Sequence, residues 1–270
     1  MDNHFNTPAE VIDLSIKACE NKTRLPLGKM IFLGIMAGAF IAFGGAVENV
    51  GVARALAGTI FPVGLMLIVF LGGELFTGNC LIVMDVFDKR VTWGGLFRDL
   101  IIVFFSNLIG ALCVDILIVF SGNLNYSGGL LGAYTIKVAV GKLAISPVQG
   151  IASGILCNIL VCLAVLMATS ARDIAGKVWA IFFPICAFVV GGFEHCVANM
   201  FYIPAGIMAA ANPDYVAKAK DAYGITAEQI ATLTPLNSLH NFIPVTLGNM
   251  IGGMVFVGLP LYLIYKKKWN

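Results

Sequence analysis

Six long apolar runs, separated by short polar punctuation, leave this chain few folds to adopt. They lie near residues 30–47, 59–87, 100–120, 148–168, 178–211 and 242–265, and runs of about 20 apolar residues are what the hydrocarbon core of a bilayer requires. Charged residues make up 12% of the chain against 59% hydrophobic, about half the charge share of a soluble domain. The reading is a single all-α membrane domain over 1–270 with six transmembrane helices. The N-terminus, MDNHFNTPAEVIDLSIKACENK, has no basic flank before an apolar stretch, so no cleaved signal peptide is expected. Seven cysteines (19, 80, 113, 157, 162, 186 and 196) are scattered mostly through apolar runs and read as small buried hydrophobes, not as a disulfide framework. No basic tract points to nucleic acid.

An even number of spans puts both termini on one side. That side collects Lys17, Lys22, Arg24, Lys29, Lys89, Arg90, Arg98, Arg172, Lys177, Lys266, Lys267 and Lys268, and the other has Arg54, Lys137, Lys142, Lys218 and Lys220. The excess predicts cytoplasmic termini in a multi-pass inner-membrane protein. Within 1–27, Thr7-Pro8-Ala9-Glu10 has a cap, a proline at the first helical position and a glutamate closing a capping box. A helix is predicted from there. Val11, Ile12, Ile16 and Cys19 give it one apolar side, suited to the cytoplasmic membrane surface.

The second and fifth runs are too long for plain spans. At about 1.5 Å per residue they reach roughly 40 and 50 Å against a core of about 30 Å, so each must break or tilt. Both carry a glycine-rich interruption, Gly72-Gly73-Glu74-Leu75-Phe76-Thr77-Gly78-Asn79 and Gly191-Gly192-Phe193-Glu194-His195-Cys196-Val197-Ala198-Asn199. Paired breaks of this kind mark a site at mid-membrane. The halves echo each other elsewhere: Gly34-Ile35-Met36-Ala37-Gly38 pairs with Gly150-Ile151-Ala152-Ser153-Gly154, and Asn107-Leu108-Ile109-Gly110-Ala111 with Asn249-Met250-Ile251-Gly252-Gly253. A three-span unit repeated once has its second copy upside down, so 28–122 and 147–265 are expected to form an inverted 3+3 repeat.

Unwound backbone in a bilayer needs partners, and Asn79, Asn107, Asn158, Asn199 and Asn249 are the amides at hand. Each alone reads as a backbone-bonding residue ahead of a ligand contact. His195 is the one histidine within a span. A titratable group in a broken transmembrane helix marks a pathway, and Thr77 in the partner break is placed to meet it across the pseudo-symmetry axis. Glu194 and Glu74 read as acceptors for exposed helix-terminal amides, because a carboxylate in the path repels an anion. Asp85 and Asp115 are expected to reach the interface from span ends.

Four ordered motifs, Gly73-Glu74-Leu75-Phe76-Thr77-Gly78, Cys157-Asn158-Ile159-Leu160-Val161-Cys162-Leu163-Ala164, Gly192-Phe193-Glu194-His195-Cys196-Val197-Ala198-Asn199-Met200 and Pro244-Val245-Thr246-Leu247-Gly248-Asn249, closely resemble the formate/nitrite transporter family, whose members include formate, nitrite and hydrosulfide channels. The resemblance runs from about residue 27 to 265. It implies an aquaporin-like protomer with its own pore, assembled as a homopentamer in the lipid bilayer, with no cofactor and no enzymatic activity. It also implies His195 at the pore centre, and Leu75 and Thr77 on a mobile loop beside it. Phe61, Leu65 and Val161 are expected to form the cytoplasmic constriction, Leu75 and Phe188 the periplasmic one, and Lys142 an anion-attracting outer vestibule. From their own surroundings in sequence those apolar residues read as ordinary core.

A narrow apolar ring strips hydration from an anion at a cost of several kcal/mol, whereas a neutral acid passes. Two mechanisms follow. Either His195 delivers a proton and formate crosses as the acid, or His195 stays charged and stabilises a passing anion. Two other classes compete: a water or glycerol channel, whose asparagine-proline-alanine breaks are absent, and a membrane metalloenzyme using His195 with Cys157, Cys162 or Cys196, which lack ligand spacing. No metal site is expected.

Overall fold

The computed structural model describes residues 5–50 and 54–267, with side chains of 47–50, 54 and 55 excepted. Lys268 and the Arg54 side chain of the charge count therefore lie outside the described residues. α1 (Pro8–Thr23) begins on the full capping box formed by Thr7 and Glu10. Its buried side, Val11, Ile12, Ser15, Ile16 and Cys19, is covered by protein. The apolar stripe thus docks onto the bundle and not onto lipid. Asn6 pins the entry to α1, donating from Nδ2 to the Thr169 carbonyl and from its backbone N–H to the Ser170 carbonyl.

The first repeat continues with α2 (Leu27–Val50), α3 (Arg54–Ile60) and α4 (Val63–Leu71). After a break come α5 (Phe76–Asn79), a 3-10 turn at Cys80–Ile82, α6 (Val83–Phe87) and α7 (Trp93–Phe120). The segments on either side of the break, Leu56–Leu71 and Phe76–Phe87, are bent by 60°. α7 starts at a Thr92 cap, earlier than the apolar run at 100, because its first two turns carry Arg98 and a wholly buried Asp99.

The segment between the repeats, without an assignment in sequence, is α8 (Tyr126–Leu143), whose first turn departs from helical geometry at Ser127, Gly128 and Gly129. Its low content of large apolar residues hides it from a hydropathy reading. α8 ends four residues before α9 (Pro147–Ser170), just as α1 ends four before α2, and Lys142 and Lys22 each lie five residues before the helix that follows. α8 thus stands to α9 as α1 stands to α2. α10 (Ile174–Gly191), the second break, α11 (Cys196–Ala209), α12 (Pro213–Tyr223), the single-turn α13 (Ala227–Ala231), α14 (Leu239–Ile251), a π-helical turn at Gly252–Gly258 and α15 (Leu259–Tyr265) complete the chain. Five of these helical segments are long and apolar enough to cross a membrane, and the bent pair makes six. The fold is therefore all-helical, with an inverted repeat and two broken spans.

Small residues set the packing. A Cβ on Gly38 would overlap the Asn107 carbonyl, and one on Gly110 the Ile35 carbonyl; in the second repeat Gly248 meets the Ile151 carbonyl and Gly252 that of Ile155. α2 against α7 and α9 against α14 are thus backbone-to-backbone crossings, the route to tight association where lipid removes the hydrophobic drive. That explains the repeated glycine pattern in the sequence.

Candidate functional site

Each break is made the same way. Gly72 (φ 76°) and Gly192 (φ 69°) end α4 and α10 in the left-handed region, which a side chain would strain. The chain then runs extended to Leu75 and His195, the N-caps of α5 and α11. One asparagine repairs each gap. Asn107 accepts from the Phe76 N–H at 3.0 Å and donates to the Gly34 and Glu74 carbonyls at 2.6 and 2.9 Å. Asn249 accepts from the Cys196 N–H at 2.9 Å and donates to the Gly154 and Glu194 carbonyls at 2.8 and 3.0 Å. Asn158 ties the halves together, donating to the carbonyls of Thr77 and Asn249 at 3.2 and 2.7 Å.

The two breaks meet at the centre, where Thr77 Oγ1 and His195 Nε2 are 3.0 Å apart. His195 Nδ1 accepts the Ala198 N–H at 2.9 Å. That nitrogen therefore carries no proton, so the ring is neutral in this conformation and its single N–H sits on Nε2, donating to Thr77. Phe188 stacks on the imidazole with ring centroids 5.8 Å apart, and Phe61 meets Phe188 edge-on at 5.4 Å. Because α11 starts at His195, the positive end of its dipole points into the same place, a setting that favours an anion.

Cavities approach this centre from both sides. The one opposite the N-terminus, about 610 Å³, is lined by Phe61, Lys137, Lys142, Phe188, Glu194, His195 and Tyr202 among others. The one on the N-terminal side, about 200 Å³, is lined by Ser15, Cys19 and Lys22 of α1 together with Leu65, Glu74 and Leu75. This changes the expected grouping of apolar residues. Phe61 belongs with Phe188 on the far side and Leu75 with Leu65 on the N-terminal side, because the second span begins on the side opposite the termini and runs back toward them, so Phe61 precedes Leu65 and Leu75 in depth as it does in the chain. Val161 is buried and lines neither cavity.

A lysine and a carboxylate stand at each cavity. Lys142 Nζ pairs with Glu194 Oε1 at 2.7 Å and lies 5.5 Å from the Tyr202 ring centre. Glu194 Oε2 accepts from Asn199 Nδ2 at 2.7 Å, and Asn199 Nδ2 also donates to Asn241 Oδ1 at 2.7 Å. On the N-terminal side Lys22 Nζ contacts Glu74 Oε2 at 3.1 Å and Asn79 Oδ1 at 2.8 Å, while Asn79 Nδ2 donates to Glu74 Oε2 and Asp99 Oδ1 at 2.9 and 2.8 Å. The Glu194 and Glu74 side chains thus bind lysine and asparagine, not helix-terminal amides as expected. Burial works against the charge of Lys22, but Glu74, Cys19 and Asp99 together outweigh it and raise its pKa. Asp85 and Asp115 are wholly buried without hydrogen-bond partners and do not reach an interface. Asp99, Asn241 and Lys22 were not singled out for this site from sequence. The repeat register, offset from Lys142, Glu194 and Asn199, was the signal that points to Lys22, Glu74 and Asn79.

Among the described residues, no three or more His, Cys, Asp or Glu side chains gather as metal ligands. The family profile described as formate/nitrite transporter matches residues 9–263. A probable formate transporter of Methanothermobacter thermautotrophicus is 38% identical, with 99% of this chain and 100% of that one aligned. The formate channel FocA of Escherichia coli (strain K12) is 36% identical, with 99% and 98% aligned. Among solved structures, a pentameric formate channel with formate bound superposes with a TM-score of 0.78 at 36% identity, covering 89% of this chain and 98% of that one. An FNT family ion channel gives 0.80 at 26%, covering 94% and 98%. The chain belongs to the formate/nitrite transporter family, a family of membrane channels and transporters and not of enzymes.

Proposed function

We propose that this protein passes small monovalent weak-acid anions, formate first, through a pore in each protomer of a homopentamer, with both termini in the cytoplasm and the pore crossing the inner membrane. The observation that carries the reading is the Thr77–His195 contact at 3.0 Å, held at the start of a half-helix between two cavities that each contain a lysine. Relatives named as formate channels and transporters support formate ahead of nitrite and hydrosulfide. The bias of lysine and arginine supports the orientation.

An anion enters the outer vestibule drawn by Lys142 and loses water at Phe61 and Phe188. A bare charge there is costly, and the α11 N-terminus with His195 is the group that offsets it. Delivery of a proton needs an imidazolium, and the imidazolium forms only when Nδ1 releases the Ala198 N–H and accepts a second proton from solvent in the outer vestibule. The anion, arriving at the α11 N-terminus, supplies the replacement acceptor for that N–H. It then takes the proton and passes Leu65 and Leu75 as neutral acid, reionising near Lys22. Reconstituted protein tested with formate, nitrite, hydrosulfide, acetate and chloride in turn should pass formate fastest. Equal rates for chloride and formate would remove the weak-acid step.

A further inference from the structure

The two lysine clusters are built on one plan but hold different charges. The far cluster has one ammonium, Lys142, and one carboxylate, Glu194, closed by the neutral amide of Asn241, whose Nδ2 reaches Glu194 Oε2 at 3.3 Å and the Lys142 carbonyl at 2.8 Å. At the matching place of the N-terminal cluster stands a carboxyl. Asp99 Oδ1 accepts from Asn79 Nδ2 at 2.8 Å, and Asp99 Oδ2 is buried with no hydrogen-bond partner. Asp99 and Asn241 each lie eight residues before the asparagine that repairs the adjoining break, Asn107 and Asn249. The substitution therefore occupies one register position of the repeat.

We propose that Asp99 is a proton-binding group that sets the charge of the N-terminal vestibule, and thereby makes anion entry from that face depend on the pH of that side. The inference rests on the anion-channel reading above. The groups facing Asp99 are Lys22 and Cys19 from α1, Glu74 from the break, Asn79 and Cys80 beyond it, and Arg98 on its own helix; Asp85 also acts on Cys19. Lys22 supplies one fixed positive charge, in contact with Glu74 alone of the two carboxyl groups, while the Asn79 amide bridges Glu74 to the second, Asp99. Two carboxylates sharing one site do not ionise independently, and the oxygen that no donor reaches is the one best kept protonated. Arg98 is exposed and screened by solvent, so the sum is over Lys22, Glu74 and Asp99; with the proton on Asp99 it is zero, like that of Lys142 and Glu194. Without it, the cluster is net negative beside the cavity that an anion must enter. Asp99 touches neither cavity, so it acts on the ion through the field of the cluster.

Membrane vesicles that expose the N-terminal face, and others that expose the opposite face, carry the test with wild-type protein, Asp99→Asn and Asn241→Asp, bathed in formate at pH 5.5 or 7.5. A unit charge at this range is expected to change entry by about tenfold. Through the N-terminal face at pH 7.5, Asp99→Asn should be about tenfold faster than wild type, with the two converging at pH 5.5. Through the opposite face, with the lumen held at pH 5.5, they should match at both bathing values. Asn241→Asp should slow entry through that opposite face by about tenfold at pH 7.5 and recover at pH 5.5, which decides the matter even if Asp99→Asn fails to reach the membrane. Unchanged pH dependence through the N-terminal face in Asp99→Asn, or no effect of Asn241→Asp, would overturn the assignment of Asp99 while leaving the channel reading intact. Wild-type vesicles with no formate entry from either face would overturn the channel reading, and this inference with it.

Discussion

The first break of the repeat ends on Leu75 and the second on His195, at the same N-cap position, after the same left-handed glycine and before the same glutamate-to-asparagine contact. The scaffolding is shared. Asn107 and Asn249 make matching sets of three hydrogen bonds, and the helix crossings they brace use matching glycines. What differs is the side chain placed at the centre: one half contributes apolar bulk and the Thr77 hydroxyl, the other an imidazole. Symmetry builds the cradle, and its violation supplies the chemistry.

The largest effect is expected where the halves are alike. Gly252→Leu drives a side chain into the Ile155 carbonyl, and its equivalent in the first repeat, Gly110→Leu, does the same at Ile35. Overpacking usually costs about 1–3 kcal/mol, and a collision with backbone lies at or beyond the top of that range. Both variants should therefore be lost from the membrane fraction in thermal-stability or expression assays. Retention of either at wild-type melting temperature would show that the crossing is looser than its geometry.

Next comes the position where the halves differ. His195→Leu gives the second break the residue of the first. It should leave the fold in place, because the N-terminal N–H of Ala198 loses one acceptor, a loss of about 1 kcal/mol. Formate uptake, however, should fall at least about tenfold at acidic pH and lose its pH dependence. Liposome uptake from pH 5 to 8 measures this, and a wild-type profile would sink the role of the ring.

The smallest effect concerns the walls. Phe188→Ala removes one face of the Phe61–Phe188–His195 stack and should raise acetate and lactate permeation severalfold while changing formate little, since size exclusion relaxes. Leu65→Ala, on the opposite side of the centre, should do the same. Unaltered swelling rates with all three solutes would return both residues to the core.

These contrasts also explain what was legible in the sequence. The breaks could be read because glycines with positive φ and asparagines at membrane depth are chemically forced, and His195 because a titratable group inside a span is costly without a purpose. The repeat could be read because backbone crossings require small residues at a fixed spacing. α8 could not, since a helix packed among others on this side carries no long apolar run. The partners of Glu74 and Glu194 were misjudged because lysines on α1 and α8, distant in the chain, reach them only in the folded bundle. The grouping of Phe61 and Leu75 is implied by the family resemblance alone, and the direction of the second span, from the far side back toward the termini, sets their levels the other way round. Asp99 carries no signal of its own in the sequence, because only the folded bundle brings Asn79 to its carboxyl.

On the proposed mechanism His195 converts the passing anion into a neutral acid. A membrane potential acts on a moving charge at about 2.3 kcal/mol per 100 mV, so a bare anion responds steeply to voltage and an anion travelling with a proton hardly at all. Proteoliposomes clamped with potassium and valinomycin, loaded with a pH dye and given formate, report flux and lumenal pH together. Electroneutral entry with one proton per formate and a flat voltage response is the predicted result. Steep voltage dependence without lumenal acidification would contradict it and leave His195 as a fixed aid in a simple anion channel.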